Sequence, residues 1–73
     1  MIDDERAQVV LADRRMSPKA KLATIKMAKG DGVYVSTRML GILRILGIAD
    51  RDGHDCTPLG YECARILTEE QAS

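Results

Sequence analysis

The fold is decided by residues 35–60, which read VSTRMLGILRILGIADRDGHDCTPLG. Ser36 or Thr37 suits the N-cap of a helix, and leucine, isoleucine and methionine dominate the positions that follow. Apolar side chains cover well over half of the helical wheel, so the pattern predicts a helix over residues 36–47 that is buried on most sides. A narrow polar stripe remains on this helix, formed by Thr37, Gly41 and Arg44.

A β-hairpin is predicted immediately after this helix. Residues 50–55 (DRDGHD) form a polar turn that contains Asp-Gly, a pair typical of hairpins. The short apolar run at residues 48–49 and the pair at residues 56–57 would be its strands. A threonine followed by Pro58 then predicts a helix over residues 58–69. The inward face of that helix is expected to consist of Leu59, Cys63, Ile66 and Leu67.

Two further helices are predicted before the central one. Residues 4–15 begin with acids and end with two arginines, which matches the helix dipole. Ser17 and Pro18 then provide a clear helix start, and Gly30 suits the left-handed cap after a helix over residues 18–29. On this second helix, the residues expected to face inward are Leu22, Ile25 and Ala28.

The sequence therefore predicts a single, mainly α domain over residues 1–73 with a small β-hairpin wing. Residues 33–35 (Val-Tyr-Val) are either a few residues of strand or part of a turn.

A chain of 73 residues buries a modest core. Association into a homodimer is one way to bury more surface, and we keep it open. Tyr34 and Tyr61 have the amphipathic character that suits such an interface.

The formal net charge is zero, but the charges are segregated along the chain. Residues 14–49 carry eight basic side chains against one acid, whereas residues 1–13 carry four acids against one arginine. Residues 50–73 carry six acids against two arginines. A basic centre between acidic ends indicates that the centre meets an anionic partner, while the ends shield it or meet each other.

The segment VSTRMLGILRILGIADRDG, residues 35–53, resembles the recognition helix and wing of winged helix-turn-helix regulators of the MarR and PadR families. Those families tend to have a Ser/Thr-initiated leucine-rich helix, a Gly-Leu/Ile pair, an Arg-containing strand and a glycine-bearing wing. CTPLG at residues 56–60 is similar to the Leu-Thr-Pro-x-Gly into which their wing commonly returns. The resemblance covers about residues 18–67 and implies a winged helix-turn-helix fold.

The resemblance also implies double-stranded DNA as partner, with helix 36–47 in the major groove and a function in transcriptional regulation. The helix residues carried over to this role are Ser36, Thr37, Arg38, Gly41 and Arg44. From the basic segment 14–44 and the wing, the expected phosphate contacts are Lys19, Lys21, Lys26, Lys29 and Arg51. The alternative is that these lysines form an ordinary solvated face. Because helix 36–47 contains no Asn or Gln, any sequence specificity should be modest.

A protein partner is the second hypothesis. The predicted wing contains Asp50, Asp52 and Asp55 against Arg51, and carboxylates repel DNA phosphates. Segregated charge and an acidic wing suit a protein with a basic patch. On this hypothesis the chain is a winged-helix interaction module, an adaptor or a small inhibitor of the kind that phages often encode.

We expect neither an enzyme nor a metal or cofactor site. His54, Cys56 and Cys63 are the only candidate soft ligands, and their spacing matches no recognised zinc pattern. Both cysteines are better interpreted as small core residues. The sequence contains no Gly-rich phosphate loop and no apolar run long enough for a membrane span. An acidic N-terminal segment unlike a signal peptide leads us to expect a cytoplasmic protein.

Overall fold

The computed structural model describes residues 4–72, with the backbone alone at residues 71 and 72, and shows a mainly helical protein. Its helices are α1 (Asp4–Leu11), α2 (Pro18–Ala28), α3 (Thr37–Leu46) and α4 (Pro58–Ala72), with a single 3-10 turn at Gly32–Tyr34. The most extensive helix contact is between α2 and α4, and α1 also packs on α4. Across the described residues, no helix combines the length and apolar character needed to cross a membrane.

The helix boundaries follow from local capping. Ser17 accepts a hydrogen bond from the backbone N–H of Ala20 (3.2 Å), and Ser36 accepts one from that of Met39 (3.2 Å). At the other ends, Gly30 and Gly47 adopt φ values of +86° and +85°, which suit glycine best. The predicted starts and ends of α2 and α3 are therefore confirmed to within a residue.

The first helix is shorter than predicted and ends at Leu11, whereas the sequence pattern predicted an end at residue 15. The Asp13 carboxylate accepts hydrogen bonds from the backbone N–H of Arg15 (2.9 Å) and from its guanidinium (3.0 and 2.9 Å). Local bonding of this kind competes with helix hydrogen bonds. The same hydrogen bonds from Arg15 lower the pKa of Asp13 to about 2.

The inward face of α2 differs from the prediction. Leu22 is 57% exposed, and Ile25 and Ala28 are only half-buried. Small residues allow α2 to pack closely on its neighbours, and the hydroxyl of Thr24 is satisfied within the helix by donating to the carbonyl of Ala20 (2.8 Å). The side chains that α2 actually buries are Ala20, Ala23, Thr24 and Met27.

The core is formed by all four helices and the segment after α3, and Ala7 of α1 is fully buried in it. The predicted inner face of α4 is confirmed, since Leu59, Cys63, Ile66 and Leu67 are all buried. From α3 and the two residues after Gly47, the buried side chains are Leu40, Leu43, Leu46, Ile48 and Ala49. Helix α3 is less enclosed than predicted, because Met39 and Ile42 are half-buried and Ile45 is exposed.

Of the two alternatives for residues 33–35, strand or turn, the structure shows the turn. The 3-10 turn at Gly32–Tyr34 occupies this position, and the N–H of Tyr34 bonds to the carbonyl of Asp31 (3.0 Å). Gly32 is buried against the 50–55 loop, so closely that a Cβ there would overlap the carbonyl oxygen of His54. The absence of a side chain at Gly32 therefore allows the turn to pack directly against that loop.

The predicted β-hairpin wing is not formed within residues 4–72. Its only ladder element is one antiparallel bridge between Ala49 and Cys56, and residues 50–55 are a loop. The backbone N–H groups of Ile48 (2.8 Å) and Ala49 (3.2 Å) both bond to the carbonyl of Leu43, at the end of α3. At the bridge, the N–H of Thr57 bonds to the carbonyl of Ile48 (2.9 Å) and the N–H of Asp50 to that of Asp55 (2.8 Å). Because its own N–H caps α3, Ile48 cannot donate to the carbonyl of Thr57, so at this end the ladder stops at the bridge.

Candidate nucleic-acid interface

The solvent-facing surface of α3 contains a stripe that the sequence pattern only partly indicated. Positions 38, 41 and 45 lie opposite the buried Leu40 and Leu43 on the helical wheel. Arg38 and Thr37 are exposed, and Ile45, which was expected to be buried, is 68% exposed. The residues that form this surface, called here the α3 stripe, are Thr37, Arg38, Gly41 and Ile45.

Gly41 leaves an open gap in the middle of the α3 stripe. A Cβ added at this position would meet no atom within 4 Å. Gly41 therefore has no packing reason to be glycine, although glycine in a helix interior costs about 1 kcal/mol relative to alanine. The alternative, that it accommodates a neighbouring helix of the same chain, is ruled out for the described residues by this open space.

Arg44 points away from the α3 stripe and towards the 50–55 loop. Its Nε donates to the carbonyl oxygen of Asp50 (3.0 Å), and its Nη2 donates to that of Gly53 (2.9 Å). The side chain is half-buried in this position. Sequence reasoning placed Arg44 on the polar stripe, but in the structure its guanidinium holds the loop against the end of α3.

Two of the four candidate lysines lie beside α3. Lys19 and Lys26 are seven residues apart on one face of α2 and line a surface groove of about 260 Å³ with Ser36 and Tyr34. An adjoining groove of about 310 Å³ is lined by Lys19, Ser36 and Arg38. The two grooves share Lys19, Ser36 and Met39, and together they form the basic groove, whose polar residues are Lys19, Lys26, Ser36 and Arg38.

The other two lysines of α2 lie elsewhere. Lys21 lines a separate groove with Leu11 and Leu67, on the side where α1 meets α4. Lys29, the C-cap of α2, borders an apolar groove with Tyr61 and Arg65 on the other side of α4. The four lysines therefore do not form one face, and only Lys19 and Lys26 can act together with Arg38.

The loop beside the C-terminal end of α3 is acidic. Asp50, Asp52 and Asp55 are exposed, and the Asp50 carboxylate accepts a hydrogen bond from the backbone N–H of Arg51 (2.7 Å). Arg51 is exposed on this same loop, so it lies among carboxylates and not in the basic groove. The two ends of α3 thus present opposite charge.

Apolar side chains line part of the basic groove, and sequence reasoning missed this. Leu22, expected in the core, is 57% exposed there, and Tyr34 is 76% exposed at its edge. The signal in the sequence was the spacing of Leu22 between Lys19 and Lys26, which places all three residues on one face of α2. A basic surface with accessible apolar and aromatic groups can contact both the charged backbone and the bases of a nucleic acid.

The cysteines and the histidine lie away from the basic groove. Cys63 is buried and Cys56 is half-buried, and both are free thiols. Burial raises the pKa of each thiol to about 11. His54 is exposed on the loop. In the part of the chain that the structure describes, no three His, Cys, Asp or Glu side chains are grouped as metal ligands would be.

The chain matches no family model, no curated protein and no solved structure in comparisons with known proteins. Its interpretation therefore depends on its own residues. The fold and the site define a small helical protein with a basic groove beside an exposed, glycine-containing helix face.

Proposed function

We propose that this chain is a small DNA-binding protein of the winged helix-turn-helix type that acts in transcriptional regulation. The observation that carries the proposal is that two adjoining grooves, which share Lys19, also place Lys26 and Arg38 beside the exposed face of α3. Three cations in adjoining grooves can neutralise neighbouring phosphates of a duplex, whereas cations scattered over the surface cannot act together.

In the proposed complex, the N-terminal part and the exposed side of α3 face the major groove. The hydroxyls of Ser36 and Thr37 suit phosphate oxygens, and Arg38 can form a bidentate pair with guanine. Lys19 and Lys26 bind the flanking phosphates from α2. The two sets of contacts have different roles, because phosphate contacts set the position of the protein on the duplex and base contacts distinguish sequences.

The 50–55 loop takes the position of a wing in this proposal, but its charge limits its role. Arg44 fixes the loop through its backbone, and the exposed Asp52 and Asp55 face solvent. Carboxylates near phosphates oppose binding, so the loop restricts contact to the basic groove and the α3 stripe. Since one copy offers a single reading helix, we propose a homodimer in the cytoplasm as the form that regulates a gene.

Salt-dependent duplex binding tests the proposal. Fluorescence anisotropy with a labelled mixed-sequence duplex should show binding at 50 mM salt that weakens steeply at 200 mM, because binding releases counterions from the phosphates. Equal affinity at both salt concentrations, or no binding at the lower one, would contradict it. Sedimentation of the free protein over a range of concentrations tests the homodimer separately.

A protein partner remains the second candidate function. It is favoured by the exposure of Leu22 and Tyr34 in the basic groove and by the acidic 50–55 loop, since accessible aromatic groups are enriched at protein interfaces. An interaction module would capture a specific protein and fail to bind duplex at low salt. The anisotropy measurement above distinguishes the two functions.

A further inference from the structure

We propose that α3 reads a guanine and a thymine about three base pairs apart, with Arg38 on the guanine and Ile45 against the thymine methyl group. Gly41, between them, allows the helix backbone to approach the base edges closely. This inference rests on the proposed function, because it names the sequence that the same helix would recognise. Neither helix capping nor core packing explains why residue 41 is glycine or why residue 45 is an exposed isoleucine.

The position of Ile45 carries the first step. Single exposed apolar residues are common on proteins, and Val9 on α1 is exposed to the same extent, 68%. Ile45 differs because it lies on the α3 stripe with Arg38, seven residues and about two turns away. In the major groove, the thymine methyl is the base feature that an apolar side chain recognises.

The open space at Gly41 carries the second step. Nothing in the described residues occupies the volume that a side chain there would fill. A helix that touches base edges needs its backbone near the floor of the groove, and the absence of a Cβ at the centre of the stripe permits this. Exposed Arg38 and Ile45 then reach to either side of the glycine.

The helix geometry sets the spacing of the two bases. A separation of seven residues corresponds to roughly 10 Å along the helix at about 1.5 Å per residue. Base pairs of B-form DNA stack at about 3.4 Å, so with α3 proposed to run nearly along the DNA axis the two contacts are about three base pairs apart. The cations Lys19 and Lys26 beside Arg38 favour duplex DNA as the occupant of this helix face.

Replacement of thymine by uracil tests the Ile45 contact, because it removes only the methyl group. Selection from a random duplex pool should first recover sites with guanine and thymine about three base pairs apart. In such a site, uracil should weaken wild-type binding about fourfold, the factor expected for one buried methyl group. Ile45→Ala should bind the thymine site more weakly and be indifferent to uracil, whereas Val9→Ala, an equally exposed control, should behave like wild type.

Gly41→Ala provides a second measurement that separates binding from folding. Alanine should raise the melting temperature, since it favours the helix and meets no neighbour. Affinity for the selected site should nevertheless fall at least about tenfold, because the added methyl holds the helix away from the bases. A variant that is stabilised and binds like wild type would overturn the inference.

The outcomes also distinguish this inference from the proposed function. Salt-dependent duplex binding that selects no shared sequence, or that responds equally to uracil in wild type and Ile45→Ala, overturns the thymine contact and leaves DNA binding standing. Absence of duplex binding by the wild-type protein at 50 mM salt overturns both.

Discussion

The guanidinium of Arg44, in α3, donates a 2.9 Å hydrogen bond to the backbone carbonyl of Gly53, in the 50–55 loop. A second bond from the same side chain reaches the carbonyl of Asp50 (3.0 Å). Because the acceptors are backbone groups, this attachment does not depend on the acidic side chains of the loop. Arg44 therefore fixes an acidic segment next to the helix that we propose reads DNA.

Arg44→Ala should destabilise the protein, because two loop carbonyls lose a half-buried donor. Each hydrogen bond contributes about 1 kcal/mol, so the free energy of unfolding should fall by about 1–2 kcal/mol in urea titrations. Arg38→Ala is the matched control, since it removes the same charge from an exposed position of the same helix and should leave stability unchanged. Equal losses in the two variants would show that Arg44 does not secure the loop.

Leu43→Ala should severely destabilise the domain. Leu43 is fully buried, and truncation of such a leucine typically costs about 2–5 kcal/mol, a large part of the stability of a small domain. Ile45→Ala, two residues along the same helix, removes an exposed side chain and should change stability by less than about 0.5 kcal/mol. Thermal melting followed by circular dichroism checks both, and similar melting of the two variants would refute the assigned inward face.

Both cysteines should react slowly with thiol reagents in the folded protein. Burial raises the pKa of Cys56 and of Cys63 to about 11, so the reactive thiolates are scarce at pH 7.5. Since folding favours the protonated thiols, this contribution to stability is complete below about pH 9 and is lost as the pH rises towards about 11. Alkylation with and without urea measures the accessibility, and rapid modification of Cys63 without urea would contradict its place in the core.

Removal of a loop carboxylate should strengthen DNA binding. Asp52→Asn deletes an exposed negative charge from the loop that adjoins α3, so affinity for a duplex should rise several-fold at 50 mM salt and less at 200 mM. Glu5→Gln, the same charge change at an exposed position of α1, is the control and should have a smaller effect. If both variants gain equally, only net charge matters, and the proximity of the loop to the DNA is disproved.

Local signals predicted the helices well. Ser17, Ser36, Gly30 and Gly47 determine the boundaries of α2 and α3 through capping groups within a few residues in the chain. The inner face of α4 was also predictable, because its apolar residues occupy one narrow stripe. At Asp13 the same local chemistry ended α1 early, and the prediction overlooked this competing hydrogen bond.

Tertiary contacts determine the side-chain orientations and the loop structure that the hydrophobic pattern of the sequence left ambiguous. Helix α3 is apolar on most sides, so its period alone could not show that Ile45 faces solvent or that Arg44 turns to the loop. The Asp-Gly signal predicted a hairpin, but the N–H of Ile48 bonds to the carbonyl of Leu43 and the carbonyl of Asp50 accepts from Arg44, so neither group extends the ladder beyond the Ala49–Cys56 bridge. The separation of Lys19 from Lys21, by contrast, follows from their spacing of two residues, which places them on opposite sides of α2 and could have been read from the sequence.

The central claim is that the basic groove binds DNA, and paired lysine variants test it most directly. Lys19→Ala/Lys26→Ala and Lys21→Ala/Lys29→Ala each remove two positive charges from α2 or its C-cap, but only the first pair lines the basic groove. We expect the first pair to weaken duplex binding strongly. It should also reduce the slope of log affinity against log salt by about 1.8, or about 0.9 for each phosphate that is no longer neutralised. The second pair should bind with nearly the wild-type slope, and equal effects of the two pairs, or none from the first, would contradict the claim.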